Sequence, residues 1–80
     1  MKISQKKIIE VIKKVTKNKI DINSSSKNTE NWDSLAQLNI LTMLDDKLDG
    51  KIFTIKEMAS ADSVKKIILL LKKNNFFNNK

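Results

Sequence analysis

The chain has no cysteine, no histidine and no proline in 80 residues, one glycine, and no arginine among its sixteen basic residues. Without cysteine there is no disulfide framework, no thiolate and no sulfur metal site. Without histidine the usual general base and the commonest metal ligand are missing. A Ser-His or Cys-His nucleophilic pair therefore cannot be built, and catalysis by the chain alone is not expected. No apolar run approaches the roughly 20 residues that span a bilayer; Ile67–Leu71 is short and lysines bracket it. The first residues, Met1 to Lys7, lack the apolar stretch and small-residue site of a signal peptide, so a cytoplasmic location is expected. Neither a metal nor a membrane partner is expected.

Arginine is the main reader of guanine and the bidentate clamp for phosphate, so its absence weakens a nucleic-acid reading of the +7 net charge. The charge is also uneven. Residues 1–20 carry a net +6, residues 51–80 a net +5, and residues 21–50 a net −4. An acidic island thus sits inside a basic chain.

Eighty residues make one small domain, which buries only about 60% of the surface exposed by its unfolded form. Ser4 can cap a first helix over about residues 5–16, with Ile8, Val11, Ile12 and Val15 at helical spacing. Residues 17–33 are rich in Asn, Asp, Ser and Thr and form a long connection, pinned by Ile20 and Ile22. Asp33 is a suitable N-cap for a second helix over about residues 34–48, in which Leu35, Leu38, Leu41, Leu44 and Leu48 form one apolar line. Gly50 can end it in a left-handed conformation. A helical turn over about 55–60 follows, then a last helix over about 63–73 capped by Asp62 or Ser63, with Val64, Ile67, Ile68 and Leu71 inward. Residues 74–80 read as a frayed polar tail, and Phe76 and Phe77 have no assigned role. With no strand signal, the expected fold is all-α: a small antiparallel bundle of three main helices plus a short turn.

Ser34 sits where a helix starts, beside unpaired backbone N–H groups that suit a phosphate ester. The segment Trp32-Asp33-Ser34-Leu35, then Leu38, Leu41, Leu44, Asp45, Asp46, Leu48 and Ile52, then Ser63-Val64-Lys65-Lys66-Ile67, resembles the acyl carrier protein family over about residues 8–71. The resemblance implies that Ser34 carries 4′-phosphopantetheine, transferred from coenzyme A by a Mg²⁺-dependent phosphopantetheinyl transferase, with Asp33 and Leu35 as the flanking motif. It implies a thioester-held acyl or aminoacyl cargo, an acyl-loading ligase or synthase, and a downstream transferase. It implies a monomer that docks partners through Asp45, Asp46 and Asp49. Ala36, Asn39 and Lys47 stand where fatty-acid carriers often have acids, which points to a dedicated carrier. The alternatives are a basic helical module for nucleic acid or another polyanion, and a carrier-like subunit that stays unmodified.

Overall fold

The computed structural model describes residues 2–79. In chain order they form a strand β1 (Ile3–Ser4), helix α1 (Gln5–Thr16), helix α2 (Ser34–Lys47), two 3₁₀ turns (Ile52–Thr54 and Lys56–Ser60), helix α3 (Val64–Lys73) and a strand β2 (Phe77–Asn78).

Each helix starts at a side-chain cap. The Ser4 hydroxyl accepts from Lys7 N–H at 3.2 Å, the Asp33 carboxylate from Ala36 N–H at 2.9 Å, and the Ser63 hydroxyl from Lys66 N–H at 3.1 Å. Ser63, rather than Asp62, is thus the cap of α3, which begins at Val64. The helices end by turning left-handed. After α2, Asp49 takes the first left-handed position (φ 52°) and Gly50 follows at φ 81°, its N–H reaching back to Asp45 C=O at 3.0 Å. The stop expected at Gly50 therefore begins one residue earlier, and Leu48 is a cap outside α2.

The core is built from Ile8, Val11 and Ile12 of α1, Ile40, Leu41 and Leu44 of α2, and Val64, Ile67, Ile68 and Leu71 of α3. Thr16 completes the inner face of α1; its hydroxyl donates to Ile12 C=O at 2.9 Å, which lets a polar side chain stay buried. Between α2 and α3 the buried residues Ile52, Ile55, Met58 and Ala61 recur every third position. That is the repeat of a 3₁₀ helix, in which residues three apart stack on one face. The single turn expected over 55–60 is accordingly two turns, interrupted at Ile55, with Phe53 left exposed.

The apolar line of α2 divides between core and solvent: Leu35 and Leu38 are 67% and 54% exposed, whereas Ala36 and Ile40 are buried. The buried stripe of α2 runs through 36, 40, 41 and 44, so its first turns present leucine outward. The chain is also mostly helical rather than purely all-α. β1 and β2 pair in parallel, with Ile3 opposite Phe77 and Ser4 opposite Asn78.

The C-terminal segment is consequently not a frayed tail. Asn75 turns left-handed (φ 66°) after α3, its N–H bonds Lys72 C=O at 3.1 Å, and Phe76 N–H bonds Leu71 C=O at 2.8 Å. This pair of bonds is the Schellman ending, which brings an apolar residue back onto the last helical turn. Phe76 supplies it, and its carbonyl then accepts from Ile3 N–H at 2.8 Å. Both Phe76 and Phe77 pack partly against the core; Lys80 lies outside the described residues. The radius of gyration, 11.2 Å, is close to the roughly 11.6 Å of a compact chain of this length, which leaves no room for an extended loop or tail. Truncation after Asn75 is expected to lower the urea midpoint and to abolish protection of the Ile3 amide from hydrogen exchange. An unchanged Ile3 exchange rate would refute the strand pairing.

Candidate functional site around Ser34

Three tethers place the start of α2. The first closes the end of α1. Asn18 and Asn31 both donate through their side-chain amides to Thr16 C=O, each at 3.2 Å, and Asn18 donates also to Glu30 C=O. Asn31 adopts φ 67°, a left-handed conformation that asparagine tolerates better than most residues, and so turns the chain into Trp32.

The second tether is an amide relay. The Trp32 ring is buried, and its Nε1–H donates to Gln37 Oε1 at 2.7 Å. Gln37 Nε2 in turn donates to Ala61 C=O at 2.8 Å. Trp32 precedes the cap and Gln37 is the fourth helical residue, the two positions that face each other across a helix start. The sequence singles out Trp32 only as part of the segment Trp32-Asp33-Ser34-Leu35 and does not single out Gln37. The signal was the indole N–H, which needs an acceptor once buried, and the nearest polar side chain in the facing position is Gln37.

The third tether sews the long loop to the start of α3. Ser24 C=O accepts from Val64 N–H at 3.0 Å, Ser26 N–H donates to Asp62 C=O at 2.9 Å, and Ser25 pairs with Ser63 as an isolated antiparallel bridge. The Ser26 hydroxyl donates to the Asp62 carboxylate at 3.2 Å, and Lys66 Nζ bonds the same carboxylate at 3.1 Å. The Lys66 hydrogen bond holds the Asp62 carboxyl below its ordinary pKa of 3.8; partial burial opposes this and the Ser26 hydroxyl adds to it.

These tethers enclose an open cleft of about 450 Å³. Ser26, Trp32, Asp33, Ser34, Gln37 and Asp62 line it, together with Ala59 and Ser60 of the second 3₁₀ turn. Ser34 is exposed at the first position of α2, just past the Asp33 cap. The backbone N–H groups of that first turn have no helical acceptor and bear the positive end of the helix dipole. Asp33 spends its carboxylate on the Ala36 N–H, so its demonstrable role is to start the helix. Leu35 projects into solvent beside the cleft, and Leu38 and Phe53 are exposed as well.

The three aspartates further along differ. Asp45 is half-buried, and its Oδ1 accepts from Ile52 N–H at 3.0 Å and Phe53 N–H at 3.3 Å, so it caps the first 3₁₀ turn. Asp46 and Asp49 are exposed, Asp49 in the left-handed position that ends α2. Among the described residues no group of three or more acidic side chains could hold a metal ion, and no helix is long and apolar enough to cross a membrane.

No protein-family model, curated protein or solved structure matches this chain.

Asp45→Ala removes the acceptor of two backbone donors and is expected to cost about 1–3 kcal/mol of stability in urea denaturation; a loss well below that would mean that the 3₁₀ turn holds without it. Asp62 gives a pH prediction. Its folded pKa is depressed, so its contribution is present above 3.8 and is lost as pH falls below that value through the folded pKa. Wild type is expected to lose more of its urea midpoint between pH 5 and pH 2 than Asp62→Asn does, by a modest margin because the ion pair is largely exposed. Parallel pH curves for the two proteins would remove Asp62 from the tether.

Proposed function

We propose that this chain is a carrier of the acyl carrier type, an antiparallel helical domain that is covalently modified on Ser34 and shuttles an intermediate between enzymes without catalysing a reaction itself. The observation that carries the reading is the Ser34 hydroxyl, exposed at the first position of a capped helix and opening onto a cleft, in a chain with no cysteine or histidine. The motif around it, Asp33-Ser34-Leu35, and the downstream order of elements support the same reading.

The residues present fit a phosphopantetheine ester. The cleft holds two carboxylates, Asp33 and Asp62, and no lysine. The cation beside it, Lys66, is already paired with Asp62, so the first-turn N–H groups of α2 are what would face the phosphate of an ester on Ser34. In the attachment step Ser34 Oγ forms a bond to the phosphorus nearest the pantetheine in coenzyme A. The bridging P–O bond breaks, 3′-phosphoadenosine 5′-phosphate leaves with the bond pair, and the serine proton passes to a base of the transferase. The bound group supplies a terminal thiol, which holds an acyl or aminoacyl cargo as a thioester. Asp33 keeps the helix start in place beneath the ester, and Trp32 and Gln37 fix the loop that frames it. The exposed leucines Leu35 and Leu38, with Asp46 and Asp49 further along, form the face offered to the transferase, the loading ligase or synthase, and the acceptor enzyme. Asp45 is left a lesser share of that docking, since its Oδ1 already serves the backbone. The same reading makes the protein a cytoplasmic monomer, where coenzyme A is at hand.

Incubation with coenzyme A, Mg²⁺ and a broad-specificity phosphopantetheinyl transferase is expected to raise the intact mass by one phosphopantetheinyl group, and Ser34→Ala is expected to abolish the change. A wild-type chain that stays unmodified beside a positive control would leave the unmodified docking subunit as the better account. The polyanion-binding module predicts salt-dependent binding of duplex nucleic acid that Ser34→Ala leaves intact.

A further inference from the structure

A second cleft, of about 490 Å³, shares no lining residue with the one at Ser34. The start of α1, the long loop, α3 and β2 border it. Its cationic lining is Lys6, Lys65 and Lys72, and no acidic residue lines it. Lys65, Leu69 and Lys72 recur at positions 65, 69 and 72, one outward stripe of α3. Among the described residues the one ion pair is Lys66 with Asp62, so none of these three lysines is neutralised by a carboxylate. Lys72 Nζ lies 5.3 Å from the centre of the Phe77 ring, a cation–π contact that keeps the ammonium beside an apolar surface. The apolar part of the lining is Ile22, Ile68, Leu69 and Phe77, and Leu69 is 63% exposed whereas Ile68 is buried. A leucine that open, between lysines one turn away on either side, is not explained by the core.

We propose that this groove docks an acidic amphipathic segment of a partner protein, whose apolar side chains meet Leu69, Ile22 and Phe77 and whose carboxylates meet Lys6, Lys65 and Lys72. Charge complementarity selects an acidic occupant, because three ammonium groups with no carboxylate partner line one groove. Shape selects a protein segment. A bilayer surface is flat and cannot follow a concave groove, and a nucleic-acid backbone has no use for an apolar floor. The proposal does not rest on the chemistry of Ser34.

The test uses the full chain, isotopically labelled, and a fluorescein-labelled synthetic helical peptide with leucine on one face and glutamate on the other. The peptide is expected to bind saturably, with amide shifts concentrated at Lys6, Ile22, Lys65, Leu69, Lys72 and Phe77. The double variant K65E/K72E is expected to weaken binding about tenfold or more. Leu69→Asn, at an exposed position, is expected to weaken it about tenfold as well, with an unchanged circular dichroism spectrum. Ser34→Ala is expected to bind as wild type does, which separates this site from the modification site. Three results would overturn the proposal: unchanged affinity of Leu69→Asn, which would reduce the contact to charge alone; shifts centred on α2; or displacement of the peptide by duplex DNA or anionic vesicles that bind the same residues more tightly.

Discussion

The carboxamide of Gln37 joins the end of the long loop, the first turn of α2 and the distant end of the 3₁₀ segment. Its oxygen accepts from the Trp32 indole and its nitrogen donates to Ala61 C=O. Both ends must be bonded, because an amide left unpaired in a partly buried position costs a few kcal/mol, roughly 1–3. The bond to Trp32 holds the loop against the first turn of α2. The bond to Ala61 holds the end of the 3₁₀ segment against the same turn. Trp32, Ser34 and Gln37 all line the cleft, so these two bonds fix part of its wall.

The long loop becomes ordered by the same economy of polar groups. A loop of 17 residues without regular structure has many backbone donors and acceptors to satisfy. Here Ser24, Ser25 and Ser26 place theirs on the segment 62–64, and Asn18 and Asn31 place side-chain amides on the carbonyl of Thr16 at the end of α1. The residues that look merely hydrophilic in the sequence are the ones that anchor the loop. The result is a molecule with two distinct surfaces: a cleft with two carboxylates beside outward leucines, and a groove with three lysines over an apolar floor.

Local signals were readable where one residue type answers one backbone need. Ser4, Asp33 and Ser63 are short polar residues immediately before an apolar periodic stretch, and each accepts a bond from the third residue beyond it. The spacing of Ile52, Ile55, Met58 and Ala61 carried the 3₁₀ repeat in plain view, although a period of three over so few residues is easily taken for one helical turn. The ending of α3 was also written locally, in Asn75 followed by Phe76, and was missed because asparagine-rich termini more often signal disorder. The candidate site divided in the same way: Ser34 and Asp33 stood out, Gln37 was signalled only by the indole of Trp32 five residues before it, and the pairing of Ser26 with Asp62 had no local signal, since the two are distant in sequence.

The sequence by itself determined the chemistry available. With no cysteine or histidine, an exposed serine at a helix start is the plainest place for a reaction, and the caps and apolar periods dictate the helices that carry it. Only the tertiary structure decided which leucines of α2 face water, that Asp45 serves the backbone, and that the two ends of the chain meet as parallel strands. The reason is physical. A helical period specifies a stripe but not which neighbour covers it, and a pairing of two-residue strands gains too little locally to be written in propensity. Both are settled by long-range packing, where burial of Ile3 and of the half-buried Phe77 makes the pairing worthwhile.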